Sequence, residues 1–228
     1  MKNEKLKLLS LLLTVVTVIS VLFLSSCNRR YDEEKVIAAT KTLLENAEML
    51  NFVYYGSGIE YYDSDEEKGY YRKANENHLN ELGFSTIDEL KNLTERTFSN
   101  EYSSLLYTTI LSAMTDDTSV ISAARYYQVY DEKTGEPAYI MVYSKFNPML
   151  RDRIEYDYDS LEVVGAKKEK VYVKVNATVT REDGASQITT VTITLVEEED
   201  GWKIDNPIYA NYNELKDRYD ELNNKDLK

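Results

Sequence analysis

The only cysteine of the chain, Cys27, closes an apolar run, and its only histidine, His78, lies in the polar stretch ANENHLNE. A thiol can act as a nucleophile, and an imidazole can transfer protons. One cysteine permits neither an internal disulfide nor a Cys-based zinc site, and one histidine cannot build a His-rich metal centre. To act as an acid or base, His78 would need burial beside a carboxylate. Its polar neighbours, with no Ser or Cys nucleophile among them, predict a solvated side chain instead.

Carboxylates are far more numerous, 40 Asp and Glu against 27 Lys and Arg. Asp63-Ser64-Asp65-Glu66-Glu67-Lys68-Gly69 has the charge density of a calcium loop but not its order. Counted from Asp63, the EF-hand positions for Gly and for the bidentate Glu hold Lys68 and Ala74. Glu155, Asp157 and Asp159 alternate, so on a strand they face one side together, as on an acidic surface rather than in a tuned glycosidase pair. Neither a metal nor a cofactor is expected. A formal charge of −13 also opposes nucleic-acid binding, which needs a basic face to displace counterions.

Tyrosine is the unusual residue, 20 against 5 Phe. Doublets occur at Tyr54-Tyr55, Tyr61-Tyr62, Tyr70-Tyr71 and Tyr126-Tyr127, and in extended chain each doublet turns one ring to either side. Many of these rings are expected to serve as half-buried strand residues. Tyr61, Tyr62, Asp63, Asp65, Glu66 and Glu67 differ, because together they put rings and negative charge on one long loop. That combination suits contact with a basic cleft of a partner protein.

Residues 1–26 read as an address. Lys2, Lys5 and Lys7 precede an uncharged stretch from Leu8 to Leu24, and Leu24-Ser25-Ser26-Cys27 ends it. The segment resembles a bacterial lipoprotein signal, whose lipobox is an aliphatic residue, two small residues and a cysteine. The resemblance implies that the Cys27 thiol takes a diacylglyceryl group and becomes the new N-terminus. The protein would then sit outside the cytoplasm, anchored to the cell membrane by acyl chains. An uncleaved membrane anchor is the other reading, since the stretch is nearly long enough to span a bilayer. Residues 1–26 hold three Lys and one Glu, net +2, so the remainder carries −15. Residues 27–32 then form the lipidated end and a tether, holding an acidic body away from anionic headgroups.

The elements that position these residues follow from periodicity. Asp32-Glu33-Glu34 opens a helix with an apolar stripe at Val36, Ile37, Leu43, Leu44, Ala47, Leu50 and Val53, stopped by Gly56 and Gly58. Thr86 and Glu89 form a capping box for a helix with Ile87, Leu90, Leu93 and Phe98 inward. Ser99 caps another, carrying Tyr102, Leu105, Leu106, Ile110 and Ala113. Tyr70–Arg72 reads as a short strand. Tyr126–Tyr130 and Ala138–Tyr143 flank the turn-rich DEKTGEP as a hairpin. Val171 to Val179 and Val191 to Leu195 alternate with polar residues, as strands with one wet face do. Residues 209–228 form a polar tail with a short helix at Asn213–Leu222. The order predicts one α+β domain over 33–208, its helices packed on a bent antiparallel sheet.

With helices first, long wet strands at 168–181 and 187–199, and EEDGWKID at 198–205, the layout resembles the cystatin-like and NTF2-like superfamily. It also resembles, more loosely, secreted inhibitors of cell-wall D,L-endopeptidases. The resemblance implies a non-enzymatic binding module whose acidic surface blocks a cell-wall hydrolase or meets another envelope protein. An alternative is a small-ligand domain whose cone-shaped pocket includes Trp202; an enzyme built on such a pocket around His78 is the third possibility.

Overall fold

The computed structural model describes residues 31–62, 69–112, 114–115, 120–122, 124–148 and 152–206. The expected signal segment, Cys27, Asp63, Asp65, Glu66, Glu67 and the C-terminal helix lie outside the described residues. The chain divides into two units, residues 1–35 and 36–228. In the first, Asp32 pairs with Lys35 at 3.7 Å.

Helix α1, Glu33–Tyr55, starts with acidic residues where the helix dipole favours them, and Val36, Leu43, Leu44, Ala47, Leu50 and Val53 are buried. It stops at Gly56, whose N–H donates to the carbonyls of Asn51 and Phe52. Strand β1, Tyr71–Lys73, is the next element, and helix α2, Glu76–Leu82, comes directly after it. Helix α2 falls in the stretch read as simply polar. It buries only Leu79, and with Leu82 as the one other apolar residue the segment is too short for periodicity to register. Its cues were local: Asn75 accepts from the Asn77 N–H at the start, and Gly83 at φ +79° ends it.

Helix α3, Ile87–Thr97, has the expected capping box, with Thr86 Oγ1 accepting from the Glu89 N–H and Glu89 Oε2 accepting from the Thr86 N–H. Helix α4, Asn100–Leu106, is capped by Ser99 and runs into a π-turn over Tyr107–Leu111. Strands β2, Met114–Thr115, and β3, Val120–Ser122, pair antiparallel. Next come β4, Tyr126–Tyr130, and β5, Pro137–Tyr143, the expected hairpin. The chain ends in a meander of β6, Arg153–Lys167, β7, Lys170–Thr180, β8, Ser186–Glu198, and β9, Gly201–Ile204.

The fold is α+β, but the larger strands form two antiparallel sheets and not the one bent sheet expected, in the orders β1-β5-β4 and β6-β7-β8-β9. The cause is β1. It pairs Tyr71 with Tyr143 and Lys73 with Met141, while β4 takes the other edge of β5. With both edges of β5 hydrogen-bonded, β6 has no ladder to join there and starts a second sheet.

On the four-stranded sheet, Val171, Val173, Val175, Ala177, Val179, Ile193 and Leu195 are buried, so its inner face is filled by the core. Helix α1 lies by β6, where the Lys41 ammonium stands 5.3 Å from the Tyr158 ring. The α3–α4 junction reaches the last strand through a bridge from Phe98 to Ile204 and a Ser99 N–H bond to the Ile204 carbonyl at 2.9 Å. No helix among the described residues is long and apolar enough to cross a membrane.

Candidate functional site

The C-terminal end of α1 is held by two neighbouring residues that open β4. Tyr126 Oη donates to the Val53 carbonyl at 2.6 Å and accepts from the Ile59 N–H at 3.2 Å. Arg125 Nη2 donates to the Gly56 carbonyl at 2.7 Å, and its guanidinium lies 3.8 Å from the centre of the Phe146 ring. Arg125 is 2% exposed. Burial lowers its pKa, opposed by the Tyr126 hydroxyl beside it, and pushes Tyr126 up to about 12. Gly58 at φ +77° lets the chain pass close to both; a Cβ there would collide with Arg125 Nη2 and Tyr126 Oη.

On the other side of this helix end lies a cleft of about 450 Å³. Asn51, Phe52, Gly56 and Ser57 from α1 and its exit form one wall. Asp152, Arg153, Ile154 and Tyr156 from the start of β6 form the other, with Pro148 and Glu182 at the edges and Glu48 one turn up the helix. The size is within the range of small-molecule sites. Among the described residues, Glu48, Asp152, Glu182 and Arg153 reach it, and Arg153 Nη2 is already engaged by Glu155 at 2.9 Å. Burial raises the pKa of Glu48, Arg153 works against the rise, and Glu155 adds to it.

Asn51 is 5% exposed, and among the described residues its carboxamide has no hydrogen-bond partner. A buried amide normally finds one. Here it faces the cleft.

The residues singled out by sequence are placed elsewhere. Tyr61 and Tyr62 are exposed, each at 40%, on backbone pinned by a bridge from Tyr61 to Ala74 and by a Tyr62 N–H bond to the Lys73 carbonyl. Tyr70, also exposed, directly precedes β1, and its carbonyl accepts from the Ser144 hydroxyl at 2.6 Å. His78 is half-buried, and its Nδ1 accepts from the Glu60 N–H at 2.9 Å. The Phe52 ring meets the imidazole edge-on, so His78 braces the stretch before Tyr61. Trp202 is half-buried on β9, paired with Glu197, and is not among the residues lining the cleft. Glu155, Asp157 and Asp159 share an exposed face of β6, as their alternation predicts. Sequence reasoning missed Asn51, Arg125 and the cleft. An Asn inside an otherwise apolar helical stripe was the one available signal for the first.

The chain matches no protein-family model, and comparisons with curated proteins and with solved structures give no match.

Proposed function

We propose that this protein is a lipid-anchored, extracytoplasmic binding module and not an enzyme, a variant of the cystatin-like or NTF2-like arrangement, attached through Cys27. In this reading its partner is another envelope protein, most concretely a cationic cell-wall hydrolase that it restrains. The observation that carries the reading is the contrast between a filled sheet interior and exposed tyrosines on anchored backbone. The inner face of the larger sheet is occupied by its own valines, whereas Tyr61, Tyr62 and Tyr70 are exposed on backbone bonded to Ala74, Lys73 and Ser144. Rigidly mounted tyrosines contribute contact area at small entropic cost, and acidic neighbours steer a basic partner.

The test uses the full chain purified in detergent and basic cell-wall hydrolases from bacterial envelopes. Binding and inhibition should be strongest at low salt and fall steadily as salt rises, because the field of a −15 body is screened. Replacing Asp63, Asp65, Glu66 and Glu67 by their amides should weaken binding about tenfold or more. Absence of both binding and inhibition at low salt rejects the hydrolase reading; unchanged affinity in the amide variant moves the contact off this loop. The anchor is checked separately, since Cys27→Ser should abolish labelling by a radioactive fatty acid.

A further inference from the structure

We infer that the cleft between the end of α1 and the start of β6 is a binding site for a small primary ammonium compound with an apolar body. The inference is independent of the Tyr61–Tyr70 surface, because none of its rings lines the cleft.

Three features select that chemistry. The first is the Asn51 carboxamide, 95% buried, without a partner among the described residues and open to the cleft. Its polar atoms are open to the cleft and unmatched by the described residues, so a guest there can supply the hydrogen bond. The second is charge. Glu48 and Asp152 bring negative charge to the opening, and Arg153, the cation among its described lining residues, is held by Glu155. An ammonium has three donors and no acceptor, which fits a lining of carboxylates and an amide oxygen. The third is shape. Phe52 and Tyr156 stand on opposite walls, at a spacing that leaves about 450 Å³ between helix and strand. An aromatic or aliphatic body fits between the rings, and the rings attract a nearby cation.

A metal ion would need tighter clustering. Among the described residues, no group of three His, Cys, Asp or Glu converges closely enough to hold one. An anion would meet the carboxylates of Glu48 and Asp152. The organic cation remains.

Phenethylammonium chloride is the probe, titrated by calorimetry into the detergent-purified full chain. Saturable one-to-one binding is expected, with 2-phenylethanol, which has the same body and no charge, bound at least about tenfold more weakly. Asn51→Leu removes the amide at similar volume, and Glu48→Gln combined with Asp152→Asn removes charge. Each should weaken phenethylammonium about tenfold or more while circular dichroism and melting show a folded chain. A blocked tri-lysine peptide forms the last arm. Weaker binding of this peptide supports the small-molecule site; tighter binding through the same residues makes the cleft a protein contact and overturns the inference. Equal affinity for amine and alcohol, unchanged binding in both folded variants, or no binding up to roughly 10 mM also overturns it.

Discussion

The end of α1 has two sides: toward β4 its backbone groups are paired within the chain, and toward β6 it opens onto a cleft. Toward β4, the carbonyls of Val53 and Gly56 and the N–H of Ile59 are met by Tyr126 and Arg125, with Gly58 leaving room for the approach. Toward β6, Asn51 is just as deeply buried but faces open space, and Glu48 is held at the margin with its pKa raised. The two regions share one stretch of backbone, so the difference does not arise from helix geometry. It arises from what stands opposite. On the first side the backbone groups of the α1 exit are paired within the chain and gain a fixed geometry, while Arg125 Nε and Nη1 stay buried without a hydrogen-bond partner among the described residues. On the second it leaves capacity for a guest, and the first side holds that capacity in place.

The sharpest way to break the comparison is at Gly58. An alanine there meets both the unfavourable positive φ and a collision with Arg125 and Tyr126. Neither neighbour can retreat, because each is buried and bonded to the α1 exit. Gly58→Ala should cost about 3 kcal/mol or more, a fall of about 6–12 °C in Tm for a domain of this size. Thermal melting of the full chain measures it. A loss under about 1 kcal/mol would mean that the closed side is not closely fitted.

Tyr126→Phe is the next step down. The ring stays and only the hydroxyl goes, so the carbonyl of Val53 and the N–H of Ile59 lose a common partner. Leaving buried groups unpaired costs about 1–3 kcal/mol, readable by urea denaturation. The cleft should suffer with it, because the α1 exit that carries Gly56 and Ser57 loosens.

How much of this was legible beforehand depends on how local each signal is. Helix α1, the capping box at Thr86, the 126–143 hairpin and the alternating valines of β7 were readable because each is written within one contiguous segment. The split into two sheets was not. It turns on β1, three residues long, reaching across about seventy positions to pair with β5, and no period records such a partner. The candidate sites divide in the same way. Alternation put Glu155, Asp157 and Asp159 on one exposed face, but nothing local could show that Asn51 would end up opposite Tyr156 across a cleft. Nor could it show that Arg125 would be buried without a carboxylate, since burial of a cation depends on which ring and which carbonyl the fold delivers to it. His78 sits between these cases: its sequence neighbours are polar, yet long-range contacts with Glu60 and Phe52 give it a bracing role.

The smallest expected effect separates the two sides most cleanly, because its sign differs from the others. In the folded protein the Glu48 carboxyl has its pKa above the usual value of 4.5, first through burial and then through Glu155, with Arg153 only partly compensating. A raised carboxyl pKa means that the native state binds its proton more tightly than the unfolded chain does. Stability is therefore greatest below the unfolded pKa and falls as pH rises through the native one. At neutral pH the ionised Glu48 is a liability to the fold. Glu48→Gln should accordingly stabilise the chain at pH 7, by less than about 0.5 kcal/mol, or 1–2 °C in Tm, because the side chain is partly exposed and screened. That gain should vanish below pH 4.5, where both forms are neutral. Melting curves of the two proteins across this range decide it. A loss of stability at pH 7 would place Glu48 with the self-closing side of the helix end. A gain, coupled to weaker phenethylammonium binding, would show a carboxylate kept at some cost to the fold for what it holds.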